Sequence, residues 1–142
     1  MYLLDTNVIS EIRKIRNGKA NQGVAEWFFA TPLDELFLND IVLLEVKQGA
    51  LLARYNNDLI KAQMLDDWAD NQLPKQFGER ILPISRHICL IASTLHIPNP
   101  RDRHDALIGA TALAYDLTLV SRNQKDFNNI NGLKFFNPFI EP

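Results

Sequence analysis

Four acidic residues stand where a carboxylate is awkward for packing alone and useful for chemistry: Asp5, Glu45, Asp105 and Asp126. Asp5 ends the apolar opening Met1-Tyr2-Leu3-Leu4, and Thr6-Asn7-Val8-Ile9-Ser10 behind it begins a helical pattern. A short buried strand would deliver Asp5 to a strand-to-helix turn, the place where open α/β sheets bind ligands. Asp is also among the best helix N-caps, and the two roles can coexist. Glu45 interrupts Ile41-Val42-Leu43-Leu44-Glu45-Val46; its neighbours at helical spacing, Ile41, Val42, Gln48 and Gly49, make no charged face. A carboxylate there is at least half-buried and needs a cation or hydrogen bonds, unless its head reaches water. Asp105 heads the row Asp105, Ile108, Gly109, Ala112 in the most apolar helix of the chain. The helix dipole alone favours an acid in that first turn, and Asp102 is a rival cap. Asp126 closes the polar turn Ser121-Arg122-Asn123-Gln124-Lys125-Asp126, from which it can fold back over the crevice or stay a plain loop residue.

Singly, none of these acids is decisive. Together they share one address, the carboxyl edge of a parallel sheet and the first turns of the helices leaving it. Carboxylates gathered there repel unless a cation neutralises them. Hard oxygen ligands with no Cys or His cluster call for Mg²⁺ or Mn²⁺ rather than zinc. The chemistry that follows is metal-assisted hydrolysis of a phosphodiester. Thr6, Asn7, Ser121 and Asn123 stand where they can support the carboxylates with hydrogen bonds.

The elements that must position these residues follow from periodicity and punctuation. After the opening strand, Val8, Ile9 and Ile12 mark a helix stopped by Asn17-Gly18, and a second helix runs over 22–30 until Thr31-Pro32. Leu36-Phe37-Leu38 reads as a second strand, and Asn39 or Asp40 should cap a long helix over 41–55. A helix over 58–72 would complete an antiparallel hairpin, whose outer side is either a contact surface for another chain or an ordinary solvated face. Residues 81–84 read as a third strand, placed by Pro83 at an edge or at its own end. Ser85 caps a helix over 86–95, and the small-residue helix over 103–115 should sit close to a sheet. Leu117-Thr118-Leu119-Val120 is a fourth strand and Lys134-Phe135-Phe136 a short last one. Strands alternating with helices predict an α/β three-layer sandwich, a mostly parallel sheet of about five strands flanked by helices. One domain over 1–142 is expected.

Composition narrows the classes further. The chain has 142 residues, 46% hydrophobic and 23% charged, enough for a sizeable core. The net charge of −2 supplies no global basic field, so a nucleic-acid partner would meet local cations around an acidic site. The single Cys89 rules out an internal disulfide; its apolar surroundings predict a small buried hydrophobe in a reducing compartment. The opening run is broken at once by Asp5 and does not read as a leader. No stretch approaches the ~18 apolar residues of a membrane span. A cytoplasmic protein is expected.

At this point the residues resemble a family: the PIN-domain ribonucleases, specifically the VapC-type toxins of bacterial toxin–antitoxin pairs. Leu3-Leu4-Asp5-Thr6-Asn7-Val8-Ile9-Ser10-Glu11 matches the family's opening and its first acid. Glu45 followed by Gly49 matches the second, Asp105-Ala106-Leu107-Ile108-Gly109-Ala110-Thr111-Ala112 the third, and Val120-Ser121-Arg122-Asn123 with Asp126-Phe127 the last. Asn39-Asp40 and Ser121 depart from the family's commoner residues, and Asp40 is expected to cap its helix. The resemblance implies a Mg²⁺- or Mn²⁺-dependent endoribonuclease with Asp5, Glu45, Asp105 and Asp126 as catalytic and metal-binding residues. It also implies a small antitoxin partner and a homodimer or toxin–antitoxin hetero-oligomer, with no membrane partner. Arg13, Lys14, Arg16, Arg101, Arg103 and Arg122 are the cations expected near an RNA backbone, where phosphate contacts supply most affinity.

Two other readings compete. A catalytically inactive PIN-like module would bind RNA or protein without cutting. An aspartyl-phosphate phosphatase would want a second Asp two residues after its nucleophile, where this chain has Asn7.

Overall fold

Short apolar runs bounded by polar residues form the strands. β1 (Tyr2–Leu4), β2 (Leu36–Asn39), β3 (Ile81–Leu82), β4 (Thr118–Val120) and β5 (Phe135–Phe136) pair in the order β3-β2-β1-β4-β5. Every pair is parallel. The computed structural model describes Met1–Glu141. β3 is an edge strand and ends just before Pro83, so both placements the sequence allowed hold, though the strand covers Ile81–Leu82 rather than 81–84. The helices are α1 (Thr6–Arg13), α2 (Gln22–Ala30), α3 (Asp40–Tyr55), α4 (Leu59–Asp67), α5 (Leu73–Phe77), α6 (Arg86–Thr94) and α7 (Arg103–Ala114).

Successive side chains of a strand point to opposite faces, and here both faces are buried. Leu4, Leu36, Leu38 and Val120 pack with Val8, Val24 and Val42 on the side covered by α1 to α5. Leu3 and Leu119 turn the other way, onto Ile108, Ala112 and Phe127. α6 packs on α7 through Ile88, Ala92, Ala106 and Ala110, small residues that let the two helices approach closely. The three-layer α/β sandwich expected from the alternation of elements is the observed architecture.

Some local expectations fail for identifiable reasons. Cys89 is exposed. The buried face of α6 is Ile88 and Ala92, four residues apart, and Cys89 lies one step around the helix from it. An unbroken apolar run does not reveal that phase. Neither Asn39 nor Asp40 caps α3 through its side chain. Asn39 is fully buried and donates from Nδ2 to Thr111 Oγ1 (3.3 Å), while Asp40 is an exposed acid in the first turn. The helix over 58–72 is not regular: after α4, Trp68–Gln72 form a π-helical turn, and the helix then runs on through α5 to Phe77. The wider turn brings Leu73 under Trp68, so that Trp68, Ala69 and Leu73 are all buried.

Candidate active site

Asp5 leaves β1 with its N–H donated to Val120 O (3.0 Å), which ties the strand exit to β4. Its Oδ1 accepts from Thr6 N (2.8 Å), and its Oδ2 from Ser121 Oγ (2.8 Å) and Asn7 Nδ2 (3.2 Å). The cap and the candidate ligand are thus one side chain, only 6% exposed and without a basic partner. Burial pushes its carboxyl above the usual range; the Ser121 and Thr6 hydrogen bonds pull it down, and the charges of Glu45 and Asp126 push it up again.

The supporting residues behave as expected in part. Ser121 Oγ accepts from Asn7 Nδ2 (3.1 Å) and from the Asn123 backbone N–H (3.1 Å), and Asn7 Oδ1 accepts from Arg122 N (3.1 Å). Asn123 therefore acts through its backbone. Thr6 Oγ1 donates to Glu45 Oε1 (2.6 Å), which joins the first acid's turn to the second acid.

Glu45 reaches the same edge from the second turn of α3. Its Oε2 lies 3.3 Å from His104 Nδ1, and with an ionised carboxylate as acceptor the ring nitrogen is the donor. His104 was missed in the sequence. Its only signal was adjacency to Asp105, and a lone histidine next to an acid carries little weight.

Asp102, not Asp105, caps α7: its Oδ1 accepts from Asp105 N (3.1 Å). That frees the half-buried Asp105 carboxyl, which is pushed up to about 7, first by burial and then by the charges of Asp102, Asp126, Asp5 and Glu45. Asp126 is exposed on the helical turn after β4, and with Asp102 and Asp105 it lines a cavity of about 570 Å³ that also carries Arg101 and Lys125.

The expected cations divide into committed and free. Arg101 donates to Leu95 O (2.7 Å), Asp126 O (3.3 Å) and Asn128 O (3.2 Å), so it fastens the loop that holds Asp126. Arg122 forms a two-pronged pair with Glu141 (2.9 Å each) and lies over Phe139. Lys14 pairs with Glu11, and Arg13 sits over Trp68 with its Nη1 on Met64 Sδ. Among the described residues, Arg16 and Arg103 have no acidic partner.

The donors suit a hard divalent cation: carboxylate and hydroxyl oxygens, three of the acids raising the pKa of a fourth. Among the described residues, no three Asp, Glu, His or Cys side chains converge closely enough to chelate an ion as they stand. Glu45 is turned to Thr6 and His104. Mg²⁺ needs only one or two protein carboxylates with waters, so the donor set fits.

The PIN domain family model matches residues 2–133. Toxin FitB of Neisseria gonorrhoeae is 28% identical, over 98% of this chain and 99% of its own. VapC ribonuclease Y4jK of Sinorhizobium fredii is 26% identical, over 98% of each. The crystal structure of FitAcB from Neisseria gonorrhoeae superposes with a TM-score of 0.81 at 27% identity, over 97% of this chain and 98% of that one.

Proposed function

The chain belongs to the PIN-domain family, and on that premise we propose that it is a divalent-metal-dependent endoribonuclease acting as the toxin of a toxin–antitoxin pair. The observation that carries the reading is the Asp105 carboxyl, held at about 7 by burial and by Asp102, Asp126, Asp5 and Glu45. Acids gathered so closely at the carboxyl edge of a sheet are unfavourable in isolation and are relieved by a cation. The names of two full-length relatives, a toxin and a ribonuclease, point the same way.

In this reading residues 1–142 are one nuclease domain. Asp5, Glu45, Asp105 and Asp126 would hold Mg²⁺ or Mn²⁺, which would supply a more acidic water and positive charge beside the phosphate. Ser121, Asn7 and the Thr6 amide hold Asp5 still, so its carboxylate needs no reorganisation when substrate arrives. Thr6 and His104 fix Glu45 from two sides. Asp105, whose carboxyl is committed to no hydrogen-bond donor, would take the proton from the attacking water. The water oxygen bonds to phosphorus as its proton passes to Asp105, the bond to the leaving oxygen breaks, and that oxygen takes its proton from solvent. The products are one phosphate end and one hydroxyl end. Arg16, Arg103 and Lys125 steer the backbone of the RNA. The exposed apolar ridge Leu44, Leu51, Leu52, Tyr55, Leu59 and Ile60 on α3 and α4 suits an antitoxin or a second copy. No helix among the described residues is long and apolar enough to cross a membrane, and the reading places the protein in the cytoplasm.

The test uses the purified full chain, freed of partner and stripped with EDTA, on single-stranded RNA and DNA. Cleavage of RNA that returns with Mg²⁺ or Mn²⁺ and spares DNA is expected. If wild type and Asp5→Asn leave RNA equally intact with either ion, the protein is a binding module.

A further inference from the structure

A second cavity, of about 350 Å³, opens between α1, α3 and α4, and the hydrogen-bonded pair Thr6 and Glu45 forms its rim on the side of the carboxylates. It shares no lining residue with the cavity that holds Asp102 and Asp126. The two differ in chemistry. The Asp102–Asp126 cavity is lined by charged and loop residues, Asp102, Asp105 and Asp126 with Arg101 and Lys125. The α1–α3–α4 cavity has apolar walls from Val46, Leu52, Leu65 and Trp68, with Ser10, Arg13 and Lys61 among them and the acids Glu45 and Asp58 also on its lining. Its volume is within the usual range of about 300–1,000 Å³ for small-ligand pockets.

The polar groups are under-used. Arg13, whose guanidinium lies over Trp68 with Nη1 on Met64 Sδ, keeps its Nε buried without a hydrogen-bond partner, and a buried donor left unpaired is unfavourable. Lys61 has no acidic partner among the described residues. Apolar walls suit the faces of an aromatic ring, Ser10 its edge, and the two cations an adjoining phosphate.

Resting on the ribonuclease reading, we propose that this cavity is a base-selective subsite: it takes one nucleobase of the RNA next to the scissile phosphate. Leu52 and Leu65 contact the ring, and Arg13 and Lys61 contact the phosphate that follows it. The chain then selects its cleavage position at a pocket separate from the carboxylates. Gly49 of α3 lines the pocket, and a side chain started there would meet only Leu65 Cδ1 at 3.6 Å, so the space can be filled without disturbing the backbone.

The experiment uses the ¹⁵N-labelled full chain carrying Asp5→Asn, titrated without metal with adenosine, guanosine, cytidine and uridine 5′-monophosphates. Shifts at Gly49, Lys61 and the Trp68 indole are expected. One base should bind at least about 10-fold more tightly than the others. Gly49→Leu and, separately, Lys61→Ala at an exposed position should each weaken that base about 10-fold. The proposal is overturned if no nucleotide moves these signals, or if all four bind equally. It is also overturned if only a co-expressed antitoxin moves them, which would assign the pocket to the protein partner. No cleavage is measured, so an inert enzyme with base-selective shifts would defeat the ribonuclease reading and leave the nucleotide site. RNA cleavage without shifts would do the reverse.

Discussion

Asp5 is held by three donors and Asp105 by none, and the two should respond differently to substitution. Asp5→Asn keeps a side chain of the same shape and removes the charge, so RNA cleavage should fall on the order of 100-fold or more with the thermal midpoint held or raised. Ser121→Ala should weaken Mn²⁺ binding by roughly 10–100-fold, because it removes a hydrogen bond that orients the carboxylate. Calorimetric titration with Mn²⁺ reads this without any cleavage. Asp40→Asn, at an exposed acid that caps nothing, should leave both unchanged. Asp105 also sets a pH dependence. Its folded pKa of about 7 lies above the ordinary value of about 3.9. The fold therefore favours the protonated form, and that contribution is complete below about pH 4 and is lost as the pH rises through about 7. In EDTA, the melting temperature of wild type should drop relative to Asp105→Asn between about pH 5 and about pH 8, and Mn²⁺ should reverse the drop in wild type alone. A difference between the two proteins that is flat with pH would refute this.

At the scale of elements, the site depends on joints that the four acids do not reveal. Arg101 joins the end of α6 to the loop bearing Asp126 through three carbonyls. It has a structural role beside the one expected on RNA, with Nε and Nη1 on the carbonyls and Nη2 left for a phosphate. Arg101→Ala should cost about 1 kcal/mol of stability, read by urea unfolding, by releasing the loop that its three hydrogen bonds fasten. Gly23 in α2 is covered by the chain end: an added Cβ would collide with Pro138 O and Ile140 Cγ1. Gly23→Ala should detach residues 138–140, break the Asn21 bonds to Ile140 and destabilise by about 1–3 kcal/mol. Limited proteolysis of the C-terminal segment checks it. The α3–α4 hairpin was legible from its apolar stripes. Lys47 and Arg54 of α3 meet Asp66 of α4, and Lys47 also meets Asp70. The outer face was left open between contact surface and solvated side, and its exposed leucines favour contact.

For the whole molecule, the strand order puts β1 in the middle of the sheet, so the one strand that delivers Asp5 has β2 and β4 on either side. Their helices and turns bring in Glu45 and Asp126, and α7 brings Asp105. If the chain is a toxin, expressing it alone should arrest growth, and co-expressing its antitoxin should restore it. Healthy growth of cells making wild-type protein without the antitoxin would count against that role.

The sequence by itself determined the sheet and helices, because short apolar runs, proline and glycine stops and helical stripes are local signals. It also marked the four acids, since each breaks an apolar pattern or follows a strand. It could not determine which groups each acid touches. Thr6 meets Glu45 across 39 positions and Ser121 meets Asp5 across 116, distances over which sequence carries no geometric signal. The phase of a uniformly apolar helix, which exposed Cys89, and the choice of Asp102 over Asp105 as cap were likewise tertiary decisions. Packing sets the rotation of a helix, and only after that rotation is fixed does one carboxylate bond an amide while its neighbour is left free.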